Sequence, residues 1–369
     1  MTNSLNGKRL YVDVHILQTV PPSCVNRDDT GSPKTAVYGG ATRARVSSQC
    51  WKKAMRDMFK EIFPPEDLGI RTKRIVGMVA EEIRKLGGGD DSEAMAEKIL
   101  KTAGLTIKSI EKGTAALFFM SYAQAAALAE LALTDPDTIS EKPSKEAQKK
   151  AQEALQQSPG IDIALFGRMV ADAPNLNTDA CAQVAHSIST HKVSNEYDYF
   201  TAVDDLAPED SVGAGHIGTV EYNSSTLYRY ATVAVHDLYM HLGEDTVKAV
   251  SGFVRAFVCS MPTGKQNTFA NRTLPDAVMV TLRDDQPINL VGAFERPVQA
   301  GRNNDQGYIS ASAKAFIEHA KRSYEDWLGQ PICSLVTGEL LSELAEPMSF
   351  KDLLSSLEEE TKQRLGDVK

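Results

Sequence analysis

Two glycine-containing motifs in this sequence could bind nucleotide phosphates. Residues 213–218 read GAGHIG, which fits the pattern GxGxxG, and residues 262–265 read PTGK, which is like the end of a P-loop. The first pattern binds pyrophosphate only where a strand precedes it and a helix follows, and here a strand-like TVEY run follows. In the second, Cys259 stands where the first P-loop glycine belongs, and Gln266 replaces Ser or Thr. We therefore predict a flexible hairpin at 213–218 and no nucleotide site at either motif.

Carboxylates and histidines in the chain could act on phosphodiesters. Asp28 and Asp29 are adjacent and could hold Mg²⁺, although adjacent aspartates in turns commonly cap loop backbone instead. His186 and His191 are five residues apart, a spacing that fits neither one helix face nor one strand face, so no metal site is predicted. An endonuclease that uses Asp28 or Asp29 with a metal, or the two histidines as acid and base, stays open as an alternative.

A basic segment offers the strongest binding chemistry. Between Thr30 and Arg56 six residues are basic and none is acidic. Ser47, Ser48 and Gln49 lie where a helix is predicted to begin, and helix N-termini favour phosphate. The basic zone comprises Arg27, Lys34, Arg43, Arg45, Lys52, Lys53 and Arg56. Because these cations lack acidic partners nearby in sequence, we predict that the zone binds a polyanion; the alternative is a solvated basic face.

Aromatic residues stand in an acidic stretch. Residues 193–228 carry seven acidic residues and no Lys or Arg, and they include Tyr197, Tyr199 and Phe200. Neighbours on a strand point to opposite faces, so these rings cannot all be buried. They could stack on bases of a single strand or anchor a hairpin on a protein neighbour.

The composition is typical of a globular protein whose net charge hides an asymmetry. The 369 residues are 42% hydrophobic and 24% charged, with a formal net charge of −9. Residues 1–60 hold 10 Lys and Arg against 4 Asp and Glu, and the remaining 309 hold 30 against 45. The five cysteines form no CxxC, residues 3–9 form no apolar signal core, and the run 114–133 is too polar to cross a membrane. We expect a cytoplasmic protein of two or three domains with no membrane contact, metal or cofactor.

Hydrophobic periodicity predicts the elements that position these residues. Alternation over 9–17 predicts a half-buried strand, and Trp51, Met55 and Ile62 recur at helical spacing in a helix that Ser47 or Ser48 can cap. We predict further helices at 70–86, 92–103, 113–133, 141–157, 244–260, 310–328 and 349–364, and further strands at 161–166, 183–193, 217–222, 226–236, 277–283 and 288–293. A strand, a helix, a long helical excursion and then strands with a second helix indicate an α+β fold, a split βαββαβ sheet with insertions.

Several blocks of sequence, in order from about residue 10 to beyond 300, carry a family resemblance. They are PSCVNRDD at Pro22–Asp29, GGATRARVSSQ at Gly39–Gln49 with WKKAMR at Trp51–Arg56, DIALFGRM at Asp162–Met169, FTAVDDL at Phe200–Leu206 and LYRY at Leu227–Tyr230. Together they resemble the CasC backbone subunits of type I-E CRISPR Cascade surveillance complexes, in the Cas-seven family of the RAMP and RRM-like superfamily.

The resemblance implies an RRM-like (ferredoxin-like) palm at 1–62 and 179–369, a helical fingers insertion at 63–178 and a protruding thumb β-hairpin at about 193–226. It implies a non-catalytic subunit that polymerises head-to-tail along CRISPR RNA and presents its bases to target DNA in antiviral defence. The implied partners are CRISPR RNA, target DNA through the guide, other copies of the chain, CasD, CasE and the large and small Cascade subunits.

Family contacts to the RNA carry over onto the basic zone, the block that ends at residue 169, and the thumb. The implied RNA-binding residues are Arg27, Ser47, Gln49, Lys52, Lys53, Arg56, Arg168, Met169, Tyr199, Phe200 and Thr201.

Four lysines in the fingers suggest a contact with target DNA. Lys142, Lys145 and Lys149 share one face of the predicted helix at 141–157, and Lys150 lies beside them. Such a stripe could attract DNA through sequence-independent charge, and the alternative is a solvated helix face. Three functions stay open: an RNA-binding scaffold, an RNA endonuclease of the same superfamily, and a structural protein whose basic zone docks an acidic partner.

Overall fold

The computed structural model describes residues 9–170, 173–202, 205, 216–301 and 307–366. Within these ranges the strands are, in chain order, β1 (Tyr11–Ser23), β2 (Thr35–Tyr38), β3 (Ala41–Val46), β4 (Gly69–Thr72), β5 (Ile107–Ser109), β6 (Gly113–Thr114), β7 (Phe118–Ser121), β8 (Ala182–Val184), β9 (Ser187–Ser189), β10 (Glu196–Ala202), β11 (His216–Ala234), β12 (Ala277–Arg283) and β13 (Cys333–Thr337). The helices are α1 (Ser48–Ile62), α2 (Ile75–Lys85), α3 (Ser92–Thr102), α4 (Tyr122–Thr134), α5 (Lys145–Gln156), α6 (Ile161–Phe166), α7 (Val235–Leu242), α8 (Thr246–Cys259), α9 (Gln266–Phe269), α10 (Ile309–Ser323) and α11 (Phe350–Gly366).

An antiparallel main sheet organises the larger part of the chain. Its strand order is β13-β12-β1-β11-β9-β3-β2, and β8 also pairs with β11. Helices α1 and α8 pack on one face through Trp51 and Phe253, and α10 packs on the other through Phe316. The prediction that β1 is half-buried was wrong, because this second layer also covers Asp13 and His15, which are 0% and 2% exposed.

The segment 69–176, which we call the insertion, builds a second core. Helices α2 to α5 enclose an apolar cluster that runs from Ile75 to Leu176, and two small sheets, β4-β7 and β5-β6, flank it. Helix α6 instead packs on the core of the main sheet through Ile161, Ala164 and Leu165. The fingers boundaries at 62/63 and 178/179 stay predictions.

A hairpin extends beyond the main sheet. Strand β11 pairs with β1 from Asn223 onward, whereas residues 216–222 pair with β10. Every residue of β10 is exposed. We call β10 together with residues 216–222 the hairpin; it falls within the range implied for the thumb.

Some predicted elements differ from the structure. The predicted strand at 161–166 is helix α6, because residues 161–165 are all buried and a buried run carries no periodic signal. The predicted strand at 288–293 is a 3-10 turn, Leu290–Phe294, capped by the Asn289 side chain. The predicted helices at 70–86 and 113–133 begin later, since β4 and β7 pair ahead of them.

A buried carboxyl group fixes the loop after β12. Asp13 accepts hydrogen bonds from the Tyr230 hydroxyl (3.0 Å) and from Ile288 N–H (2.8 Å). Burial raises the pKa of Asp13 to about 6, and burial lowers the pKa of the nearby His15 to about 3. Burial therefore disfavours the charged form of each group relative to an exposed one.

We expect Asp13 to make the stability of the fold depend on pH. Its folded pKa of about 6 lies above the ordinary 3.8, so the folded state binds more protons between these values and stability falls as pH rises from 4 to 6. In Asp13→Asn this component should disappear, because the amide does not titrate and its oxygen can still accept from Ile288. Thermal midpoints measured from pH 4 to pH 7 check this, and an equally steep profile in the variant would assign the dependence to other groups.

Candidate nucleic-acid interface

The first turn of α1 has the form of an anion site. The Ser47 hydroxyl caps the helix by accepting from Cys50 N–H (3.3 Å), as predicted, and Ser47 N–H donates to Asn26 Oδ1 (2.9 Å). The turn contains no acidic residue, so the positive end of the helix dipole is not neutralised there. Gln49 is exposed in this turn, whereas Ser47 is buried and its hydroxyl is occupied by the cap.

Cations predicted to bind RNA surround this turn. Arg27 is exposed on the loop that Asn26 joins to α1, and Lys53 is exposed on the helix, where it pairs with Asp57. Lys52 is half-buried, with its ammonium nitrogen 5.5 Å from the centroid of the Phe166 ring, and burial lowers its pKa. The structure thus places Gln49, Lys52 and Lys53 on the first two turns of α1, and Arg27 on the loop that Asn26 joins to the start of this helix.

Part of the basic zone serves the fold instead. Arg43 is fully buried and donates to the carbonyl oxygens of Ser189 (2.8 Å) and Phe294 (2.9 Å). The Nε of Arg56 donates to Asp162 Oδ2 at 3.1 Å. The expectation that the zone lacks acidic partners was wrong for Arg56, whose partner Asp162 is 106 residues away, and for Lys53, whose partner Asp57 lies one helical turn later, just beyond the segment 30–56.

Asp162 is a site residue whose role the sequence reasoning missed. It is 3% exposed and accepts from Arg56 with one oxygen and from Gly69 N–H (2.7 Å) with the other, so it joins α1 to β4. Burial raises the pKa of this carboxyl group, and the two donors oppose that shift. A charged residue inside the apolar run IDIALF was the available signal, because a buried charge needs a partner.

The structure separates Arg168 from Met169. Arg168 is 4% exposed, and its guanidinium donates to the carbonyl oxygens of Phe119, Leu155 and Leu176 at 2.9–3.1 Å. Met169 is 84% exposed. Arg168 therefore anchors the backbone, and Met169 presents its side chain to solvent. Of these two residues predicted to contact RNA, only Met169 has an accessible side chain.

The hairpin presents its aromatic residues to solvent. Tyr197 and Tyr199 share one face and are 67% and 63% exposed. Phe200 lies on the other face, 40% exposed, with its ring against Gly218 on the facing strand. Thr201 is also exposed. The predicted thumb residues therefore lie on a surface that a second molecule can reach.

Lys142, Lys145 and Lys149, which were predicted to share one helix face, do not all lie on the helix. Helix α5 begins at Lys145, after the Ser144 cap, so Lys142 precedes the helix and the predicted i, i+3, i+7 stripe is wrong in that respect. Lys145 and Lys149 remain one turn apart on α5, and both are exposed. Lys150 pairs with Asp135 (2.9 Å) and Glu146 (3.7 Å). Contact with DNA stays a prediction.

The histidines proposed as acid and base are occupied separately. His191 stacks on Tyr308 with ring centroids 3.6 Å apart, accepts from Thr226 N–H (3.1 Å) and bonds the Lys192 carbonyl (2.9 Å), which assigns its proton to Nδ1. The exposed His186 accepts from Ser48 N–H (3.2 Å). Burial lowers the pKa of both rings, so both are neutral hydrogen-bonding groups.

The proposed metal ligand Asp28 folds its own loop. Its Oδ1 accepts from Thr30 N–H (3.0 Å), the Thr30 hydroxyl (2.8 Å) and Ser32 N–H (2.9 Å), and these bonds lower its pKa. Across the described ranges, no group of three or more potential metal ligands comes together. None of the helices in the described part of the chain is long and apolar enough to cross a membrane.

The structure shows no nucleotide-binding loop in the described residues at or beside the two glycine-containing motifs. Residues 213–215 lie outside the described residues, and the residues that follow them form β11 rather than a helix. At the second motif, a Cβ on Gly264 would stand 2.1 Å from the Val25 carbonyl oxygen, so this backbone packs directly on the loop that leads to Arg27. Neither arrangement is a strand–glycine loop–helix unit.

Chains of solved structures resemble this chain over nearly its whole length. A chain of a solved CRISPR RNA-guided surveillance complex, pre-nicking, is 31% identical, with a TM-score of 0.78 over 95% of this chain and 100% of that chain. A chain of a second solved CRISPR RNA-guided surveillance complex is 28% identical, with a TM-score of 0.62 over 95% and 99%. No curated protein sequence matches the chain.

The likeness takes in both the main sheet and the insertion, which agrees with a backbone subunit of such a complex. The model of the family described as CT1975-like protein matches residues 12–361, from β1 into α11. Because this match covers nearly the whole chain, the protein belongs to the CT1975-like family.

Proposed function

We propose that the protein is a non-catalytic backbone subunit of a type I-E Cascade complex that binds CRISPR RNA along its phosphate backbone. The observation that carries the proposal is the start of α1, where Arg27, Gln49, Lys52 and Lys53 lie at or beside an N-terminal helix turn free of acidic residues. Phosphate contacts of this kind position a nucleic acid without reading its sequence. Reading is then left to pairing between guide and target, the logic known for another RNA-guided effector, Cas9.

We propose an RRM-like palm as the platform for this helix start. In the main sheet β12, β1 and β11 are neighbours, β11 also pairs with β8 and β9, and α1 and α8 pack on one face. This order places the first and third strands of a split βαββαβ unit in the centre. The β2-β3 pair lies between that first strand and helix α1, so the first turn of α1 begins where β3 ends.

The partner set follows from the same proposal. A head-to-tail filament needs two different complementary faces on each copy. The basic zone and the acidic hairpin, which carries Glu196, Asp198 and Glu221, would supply part of that complementarity. CasD, CasE, the large and small subunits and target DNA would complete the assembly, in the cytoplasm.

Purified protein should retain RNA, and Lys53→Ala should bind every RNA less tightly. Removal of one phosphate contact should reduce the slope of log affinity against log salt by about 0.7 for a single strand. The 260/280 nm absorbance ratio reports retained RNA, and fluorescence anisotropy of labelled RNAs of unrelated sequence measures the affinity.

Lys60→Ala is the matched control, since Lys60 is exposed on the same helix and pairs with the same Asp57 (3.6 Å) but lies in the last turn. It should leave RNA affinity unchanged. Equal losses in both variants, or a loss confined to one RNA sequence, would contradict the phosphate site. Cleavage of labelled RNA with Mg²⁺ that disappears in Asp28→Ala would establish the endonuclease instead.

We expect Tyr199 and Phe200 to act in assembly rather than in folding. With 63% and 40% of their surfaces exposed, their joint replacement by Ala should leave the thermal midpoint nearly unchanged while shortening the RNA-bound assembly in size-exclusion chromatography. Tyr197→Ala, on the same strand and 67% exposed, is the control for loss of a surface ring. A large fall in midpoint would show that the pair belongs to the core.

Lys145 and Lys149 on α5 should attract target DNA through their charge. Replacing both by Glu should leave guide RNA content normal but weaken target DNA binding by the assembled complex and reduce its salt dependence. Lys314→Glu is the control, because Lys314 has the same i,i+4 glutamate pairing as Lys149 and similar exposure, 79% against 76%. Unchanged DNA affinity at low salt would make the lysines a solvated face.

A further inference from the structure

Two guanidinium groups from different parts of the chain meet at one aromatic ring. Arg56 on α1 has its guanidinium carbon 4.5 Å from the centroid of Phe119, and Arg71 on β4 has its own 5.0 Å from the same centroid. Arg71 lies directly opposite Phe119 in the β4-β7 pair. One cation from α1 and one from the insertion therefore lie against the same ring.

One buried carboxylate positions both cations. Asp162 accepts from Arg56 Nε at 3.1 Å and from Gly69 N–H at 2.7 Å. Gly69 is the first residue of β4, and its Cα is packed so closely that an added Cβ would stand 2.6 Å from the Phe119 ring. Because Gly69 is fixed, Arg71 is placed two residues farther along the strand. Asp162 thus holds Arg56 directly and Arg71 through the strand.

The charges at this place do not balance. Among the described residues, Asp162 is the carboxylate that pairs with Arg56, and Arg71 makes no ion pair. Burial lowers the pKa of Arg71, and the positive charge of Arg56 lowers it further. Two guanidiniums with one buried carboxylate between them leave a surplus positive charge, which an anion would neutralise.

The geometry selects phosphate over a base as that anion. The Phe119 ring is 3% exposed and already in contact with both guanidiniums, so it offers no free face for base stacking. Guanidinium groups donate in pairs to phosphate oxygens, and Arg56 keeps its terminal nitrogens beyond the Nε that Asp162 engages. Lys52 lies one turn earlier on the same face of α1, so the cations form a row from the helix start to the insertion.

We propose that Arg71, together with Arg56, binds a phosphodiester group of a nucleic-acid backbone at the junction of α1 and the insertion. The inference rests on the proposed function and adds to it a contact from the insertion that the family resemblance did not assign. It makes Asp162 a positioning residue for nucleic-acid binding. The phosphodiester can belong to the guide RNA or to the target strand paired with it.

The test compares Arg71→Met with Arg74→Met, which removes the same charge from an exposed position three residues later, at the cap of α2. Anisotropy titrations of labelled guide RNA on the purified chain, and of target DNA on the assembled complex, are run at several salt concentrations. Arg71→Met should lower the RNA salt slope by about 0.7, as expected for one phosphate on a single strand, and Arg74→Met should not change it. Arg71→Lys, which keeps the charge but not the paired donors, should retain the slope with weaker affinity.

The possible results test the Arg71 site and the proposed function separately. A lowered slope for RNA places the guide phosphate at Arg71, and an effect confined to DNA binding by the complex places the target phosphate there. If wild-type protein binds RNA and both Met variants behave alike in both titrations, the Arg71 site is overturned and the proposed function stands. If wild-type protein does not bind RNA, the proposed function is overturned, together with the Arg71 site that rests on it. If Arg71→Met does not fold, the nucleic-acid affinity of Arg71→Lys is compared with that of Arg74→Met. Weaker affinity in Arg71→Lys alone supports the site, and equal affinities overturn it.

Discussion

The contact between Trp51 and Arg229 fixes the helix on which the interface depends. Arg229, on the central strand β11, has its guanidinium carbon 3.7 Å from the Trp51 ring and is 1% exposed. The guanidinium also donates to Gln18 Oε1 (2.6 Å) and to the Phe257 carbonyl, and the indole N–H donates to Ser187 Oγ (2.9 Å). Burying a cation without a carboxylate is costly, and here acceptors for the two terminal nitrogens and the face of the Trp51 ring offset that cost, while Nε has no hydrogen-bond partner among the described residues. The first turn of α1 is therefore held in one rotation, with its polar face outward.

That constraint determines how the basic zone is divided. Once Trp51 and Phe59 face the sheet, Lys53 must face solvent, whereas Lys52 and Arg56 face the insertion. Arg43, on the strand before the helix, points inward and donates to the carbonyl oxygens of Ser189 and Phe294. The seven cations of the basic zone therefore have different structural roles. In the proposed binding of a nucleic acid, only those that reach solvent contribute to counterion release. The net charge of −9 is compatible with a polyanion partner because of this concentration.

The sequence alone predicted the parts of this arrangement that are local. Helix α1 and its Ser47 cap follow from spacing and from one side chain that bonds a backbone group three residues away. The Arg56–Asp162 pair and the carbonyl partners of Arg43 could not be predicted from patterns, since they join positions 106 and 146 residues apart. Helix α6 was predicted as a strand for a related reason: a segment buried on all sides has no polar face to reveal its period. Hydrophobic periodicity therefore predicts neither contacts between residues distant in sequence nor the type of an element that is buried on all sides.

Arg168 shows why such contacts matter for binding. Its guanidinium ties β7, the end of α5 and the turn at Leu176 together, and burial lowers its pKa only to about 10, so the charge persists at neutral pH. The proposed subunit would read no sequence and would gain nothing from flexible contacts that adapt to bases. It would gain from contacts at fixed positions, because the protein would hold the backbone while base pairing reads the sequence. Buried arginines that donate to main-chain carbonyls provide fixed positions, and under the proposed function they leave exposed neighbours such as Met169 and Lys53 to contact the nucleic acid.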